Sequence, residues 1–223
     1  MKGCDAIKHL FTIMVCFLLL NLFAVTGFSY GYSEQQISLN NFSVEYKKYA
    51  YQKCKENNLS YEMFLAVAFN ESRFTANAVH INKNGTVDRG LCQINDSCIP
   101  FLQNKNALTD KDDLFNPYIN IDCYIALMKY HMDFTKNEDL ALLRYQVGAG
   151  RYKAIMSGAK TTSTHQMVLK YKTDFKNYLS DNPGEIIDLY SLSNYRYLIA
   201  DYPHLKTAIN SQFNSFEWQG RYR

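Results

Sequence analysis

The chain has no block of basic residues, and its formal net charge is only +3. A small, scattered surplus of that kind excludes nucleic acid as an expected partner. None of its six cysteines forms a Cys-x-x-Cys pair, which argues against a zinc site. No residue cluster implies another metal or a cofactor. Internal repeats and low-complexity blocks are missing as well. Outside residues 10–25 there is no long apolar run. What is present is an ordinary globular composition, 47% hydrophobic, 15% aromatic and 20% charged over 223 residues. That length suits one domain with a real core and an appendage.

The N-terminus is organised differently from the rest. Lys2 and Lys8 precede the apolar run LFTIMVCFLLLNLFAV, and the small and polar residues TGFSYGYSE follow. Positive start, apolar centre and small residues near a cut form the layout of an export signal, with cleavage expected near Gly27 or Ser29. An uncleaved membrane anchor is the rival reading, although the run is short for a span and holds Asn21. Residues 1–27 are therefore expected to be a signal peptide or anchor, and the polar residues 28–41 a linker. Export directs the chain to a cell envelope or beyond. Cys54, Cys92, Cys98 and Cys123 lie after the signal, where they could form two disulfides or stay as buried thiols.

From Phe42 onward the pattern is mostly helical. A helix is expected over residues 42–57. Ser60 caps the next one, on which Tyr61, Phe64, Leu65, Ala68, Glu71 and Ser72 recur at three- and four-residue steps. Asn84-Gly85, flanked by Val79, Ile81 and Val87, predicts a hairpin with a two-residue turn. A helix is expected to start near Gln93 and run toward Leu102. Asn116-Pro117 opens another, with an apolar stripe of Ile121, Tyr124, Ile125, Met128 and Met132. Asn137 caps a third segment, ending near Gly148, and a fourth covers about Thr164 to Leu179. Asn182-Pro183-Gly184 breaks the chain. Residues 182–223 read as an appendage with one more helix, marked by Ile186, Ile187, Tyr190 and Leu198. The fold class is mainly α, a helical bundle with one small β-hairpin.

Glu71 stands out because it lies on the apolar face of its helix. Burial penalises an ionised carboxylate and raises its pKa, which keeps a proton available near neutral pH. A general acid that protonates a glycosidic oxygen needs that property. The plainer readings are an exposed glutamate at a helix end, or a pair with Arg73.

Four short motifs surround this carboxyl in order. They are Glu71-Ser72, Gly90-Leu91-Cys92-Gln93, Asn116-Pro117 with Asn120-Ile121, and Tyr145-Gln146-Val147-Gly148. Together they resemble the soluble lytic transglycosylase family of the lysozyme-like superfamily, over residues 60 to about 150. NKNGTVDRGLCQIN also resembles the small transglycosylases that accompany secretion and conjugation machines. The resemblance implies an α+β lysozyme-like fold for residues 42–181, built around a sugar-binding groove. It implies cleavage of the β-1,4 bond between N-acetylmuramic acid and N-acetylglucosamine in peptidoglycan. Glu71 would act first as acid, then as base, giving a 1,6-anhydro product. Ser72, Gly90, Leu91, Gln93, Tyr145 and Gln146 would bind substrate. Asp88 matches the second catalytic carboxylate of animal-type lysozymes, or it is a turn aspartate bonding local amides.

Several positions depart from the family pattern. Cys92 stands for methionine, Gln146 for asparagine, Arg144 for a small residue and Tyr124 for glycine. Thr164 stands where a late tyrosine is usual ahead of Val168-Leu169, and Tyr171 is nearby. The alternatives are a muramidase using Glu71 and Asp88, and a non-catalytic wall-binding or assembly module. A cysteine protease built from Cys92 or Cys98 with His80 or His165 lacks any joining motif.

Overall fold

The structure is a computed structural model in which residues 33–207, 209 and 210 are described. The expected signal or anchor, residues 1–27, and the first linker residues lie outside the described part. At the centre is α3 (Tyr61–Ser72), entered from α1 (Glu34–Asn41) and α2 (Val44–Glu56). Its sequence is apolar nearly all round, so it must be covered on every side. Tyr61 and every residue from Met63 to Phe69 are buried. Ser60 Oγ caps the helix by accepting from Met63 N at 3.1 Å, as its position in the sequence foretold.

Helices α2, α5 (Pro117–Thr135) and α7 (Ser163–Asp181) cover α3, and α5 packs in turn on α6 (Glu138–Met156). Edge-to-face rings mark the contacts: Tyr124 on Phe64 at 5.5 Å, Tyr51 on Tyr61 at 5.3 Å, and Tyr171 on Phe69 at 5.0 Å. Asn116 and Asn137 cap α5 and α6 as expected. The expected α5 stripe is buried at Ile121, Tyr124, Ile125 and Met128, with Met132 partly buried. Gly148 interrupts α6 at φ 72, ψ 166, a region open only to glycine, and the chain then turns into further helix up to Met156.

A three-stranded antiparallel sheet lies beyond α3: β1 (Val79–Ile81), β2 (Val87–Arg89) and β3 (Ile94–Asn95). The expected hairpin is present, but its turn is longer than two residues. Asn82 N donates to Thr86 O, and Gly85 N donates to Asn82 O, so Lys83, Asn84 and Gly85 form a three-residue loop. The helix expected from Gln93 starts later. Gln93 sits at φ 48, which stops helix formation, and β3 pairs with β2. A 3-10 turn (Asp96–Cys98) follows, then α4 (Ile99–Asn104), and a second 3-10 turn (Lys111–Phe115) leads into α5.

Two segments read as peripheral belong to the body of the fold. Residues 34–41, taken as linker, form α1 and bury Leu39. Beyond the break at Pro183 the described residues form more than the one helix expected: α8 (Pro183–Asp188), α9 (Tyr195–Asp201), a 3-10 turn (Pro203–Leu205) and helical residues again from 206. They bury Ile186, Leu189, Leu198 and Tyr202 in the core. Lys47 Nζ, itself buried, meets Glu185 at 2.9 Å. Tyr51 Oη donates to Asp201 at 2.6 Å, and Tyr202 Oη to Glu62 at 3.3 Å. The two disulfides allowed by the sequence are not formed, since all four cysteines are free thiols. Among the described residues no helix is long and apolar enough to cross a membrane.

Candidate active site

Glu71 lies in the last turn of α3, where the helix leaves the core. The chain reverses at once through Arg73 (φ 53) and Phe74 (φ 61), two successive left-handed residues without glycine. Such a pair costs of order 2–4 kcal/mol in backbone strain. Phe74 offsets part of it by stacking on Phe42 at 4.9 Å. Arg73 is drawn away from the site. It pairs with Glu34 at 2.8 Å and donates to Phe69 O. The Glu71–Arg73 pair is therefore not made, and Glu71 keeps one protein hydrogen bond, from Asn70 Nδ2 at 3.0 Å.

The reversal brings the sheet over the end of α3 and leaves a cleft of about 1100 Å³. Glu71, Asp88, Gln93, Tyr145 and Gln146 all border it. Burial raises the pKa of Glu71 above the ordinary carboxylate range; the Asn70 bond opposes this, and the charge of Asp88 adds to it. Asp88 stands on β2 with both oxygens engaged. Asn82 Nδ2 donates to Oδ2 at 2.8 Å, and Asn95 Nδ2 to Oδ1 at 2.5 Å. Asn95 is its cross-strand partner on β3. Tyr145 Oη donates to Cys92 O at 2.9 Å, and burial pushes the phenol well above its usual range, so it stays a neutral donor. Tyr124 backs this ring at 5.9 Å.

Three expected substrate residues stand behind the wall instead. Leu91 is fully buried. Ser72 Oγ is 2.7 Å from Leu91 O and also accepts from Thr75 N, so it ties the helix end to the loop and makes no bond to Glu71. Gly90, at φ 76, is needed for a close approach, but the approach is to protein: a Cβ there would overlap Leu114 O and the Asn120 side chain. Gln93 borders the cleft but spends both amide protons on Ala78 O (3.0 Å) and Gly90 O (2.9 Å). Gln146 Oε1 meets His165 Nδ1 at 3.1 Å, and its buried Nε2 has no partner.

Asn120 organises this loop. Fully buried on α5, it accepts from Cys92 N at 2.8 Å and donates to Leu114 O at 2.8 Å and Arg89 O at 3.1 Å. The Asn-Pro-x-x-Asn spacing had marked it without giving it a role. Asn82 and Asn95 could have been found only by expecting β3. His131 and Arg144, also on the cleft, carried one sequence signal, an arginine in a small residue's place. Cys92 is fully buried, and burial raises its thiol well above the usual range, as it also raises Cys98, so neither offers a thiolate nucleophile. Among the described residues no group of three His, Cys, Asp or Glu side chains could hold a metal.

Residues 48–168, just over half of the chain, match the family model for the transglycosylase SLT domain. The chain belongs to that family. The SLT match contains Glu71, the whole sheet and all four motifs, and it ends inside α7. Among solved structures, the SLT fold here is similar to an inactive glutamate-to-glutamine mutant of the lytic transglycosylase Slt from Pseudomonas aeruginosa. The TM-score is 0.50 at 21% identity, and the match covers 58% of this chain and 24% of that one. Comparison with curated proteins gives no match. The mainly α, lysozyme-like fold read from the sequence is the fold found.

Proposed function

We propose that this SLT protein is a peptidoglycan lytic transglycosylase, and that Glu71 carries the reaction. The observation behind this reading is a half-buried carboxyl with a raised pKa on a cleft wall, without a cationic partner among the described residues. Glu71 gives its proton to the oxygen between N-acetylmuramic acid and N-acetylglucosamine as the bond from that oxygen to C1 breaks. The carboxylate then takes the proton of the muramyl 6-hydroxyl, whose oxygen bonds to C1. The products are a 1,6-anhydromuramyl end and a free 4-hydroxyl on N-acetylglucosamine; no water enters, and Glu71 ends protonated.

In this reading Asp88 is a structural residue of the sheet, accepting from the side-chain amides of Asn82 and Asn95. Retaining hydrolases use a second carboxylate close to the acid, so the products separate the two courses. Tyr145 and Asn120 position the loop that faces Glu71. We further propose that the protein is exported to the cell envelope, where this polymer lies.

The test is mass spectrometry of fragments released from purified peptidoglycan, with Glu71→Gln as control. Anhydro ends, one water lighter than reducing ends and lost in the variant, are expected. Reducing muramic acid would make it a hydrolase, and release unaffected by Glu71→Gln would remove Glu71 from the mechanism.

A further inference from the structure

Arg144 is a buried cation without an anion. It is 7% exposed, on α6, one residue before Tyr145. Its guanidinium lies under two rings of α5, 4.5 Å from the Phe134 centroid and 5.0 Å from that of Tyr130. Nη1 is 2.5 Å from His131 Nδ1, which must be the acceptor because arginine has no lone pair to give. His131 is therefore neutral, in keeping with a pKa lowered to about 4 by burial and by the arginine itself. No carboxylate pairs with Arg144 among the described residues. Of its five N–H donors, only one has an acceptor among the described residues.

A cation with so little exposure needs compensating partners. The two rings supply part of that, but rings satisfy a charge and not a planar fork of donors. Arg144 and His131 both border the cleft that holds Glu71, next to Leu127 and Tyr145. A guanidinium held flat between rings, with spare donors beside a cleft, is suited to bidentate recognition of a carboxylate.

We propose that Arg144 is a specificity residue that binds a carboxylate of the substrate. This rests on the peptidoglycan reading of the same cleft. The glycan rings of that polymer are neutral. Its fixed negative charges are carboxylates, either on stem peptides or on lactyl groups left free when stems are removed. Arg144 thus separates muramyl strands from neutral polymers of N-acetylglucosamine with the same linkage. His131 is a positioning residue that holds the guanidinium against the rings.

The test is binding by calorimetry with the silenced Glu71→Gln protein. Three ligands are used: strands with stems, strands stripped of stems, and chitohexaose. Strands of each kind are also compared after their carboxylates are converted to methylamides. Amidation is expected to weaken binding about 10- to 100-fold, on the scale of a charge-assisted bidentate contact. The arm in which the loss occurs identifies stem or lactyl carboxylate. Arg144→Gln, added to Glu71→Gln, should abolish that difference and leave chitohexaose binding unchanged. The ligand-side comparison needs no Arg144 variant, so a misfolded variant does not decide the matter. Equal binding before and after amidation would overturn the proposal while leaving the peptidoglycan reading intact. No binding of any strand would overturn both.

Discussion

Asn120 Oδ1 accepts from Cys92 N at 2.8 Å, and Cys92 O accepts from Tyr145 Oη at 2.9 Å. One residue of the loop is thus gripped from α5 at its N–H and from α6 at its carbonyl. Asn120 also satisfies Leu114 O and Arg89 O, and these groups have little access to water. Asn120→Ala leaves them unpaired, and the expected loss is about 2–5 kcal/mol in urea unfolding. Activity should fall further than stability alone explains, because the loop facing Glu71 loses its register.

Glu71 gives two signs to check. The acid must be protonated to act, so kcat/KM should fall as pH rises through its raised folded pKa. Glu71→Gln should lower activity about 10²- to 10⁴-fold and erase that limb. Stability runs in the same direction. Between the ordinary unfolded value and the raised folded one, the folded state binds more protons, so stability falls as pH rises through that window. Glu71→Gln removes the fall. Its melting temperature should exceed that of the parent at pH 7, with the gap closing below the unfolded pKa.

Asp88→Asn separates the two chemistries. If Asp88 only receives the amides of Asn82 and Asn95, the variant should stay within about tenfold of the parent in activity and lose about 1–2 kcal/mol of stability. A loss comparable to that of Glu71→Gln, with reducing products in the parent, would mark a second catalytic carboxylate.

His131 predicts acid sensitivity. Its pKa is lowered from 6.5 to about 4, by burial first and the Arg144 charge second. Below pH 6.5 the unfolded chain takes up a proton that the folded one refuses, so stability falls as pH drops and levels off below pH 4. The ring is only partly buried, so solvent screening leaves roughly 1–2 kcal/mol across that window. His131→Asn should be flatter over the same range when the two proteins are followed by denaturant titration at several pH values.

Local signals were legible where one residue decides the geometry. Ser60, Asn116 and Asn137 each cap the helix they seemed to cap, because capping needs only neighbours in the chain. Glu71 was legible because an apolar helical face can be counted. Gln93 misled, because its left-handed backbone is imposed by the close approach of Gly90 to Asn120 and by pairing of β3, neither visible locally. Ser72, Gly90 and Leu91 were read as groove lining because the motif sits at the groove, yet their partners turn out to be protein. Residues 34–41 are polar in composition and still fold, since Leu39 alone anchors them in the core. The last helices were read as peripheral because their partners, Lys47, Tyr51 and Glu62, lie more than a hundred residues earlier.

Those last contacts bear on what a domain is in this protein. The family match stops at residue 168, and every cleft residue lies inside it. A fragment trimmed to the match would keep every cleft residue and lose part of its core. Lys47 and Glu185 would both be gone, Tyr51 would sit without Asp201, and the core would lie open where Ile186, Leu189 and Leu198 had closed it. The matched unit is shorter than the packed one, and the residues beyond it close a core that the match alone leaves open.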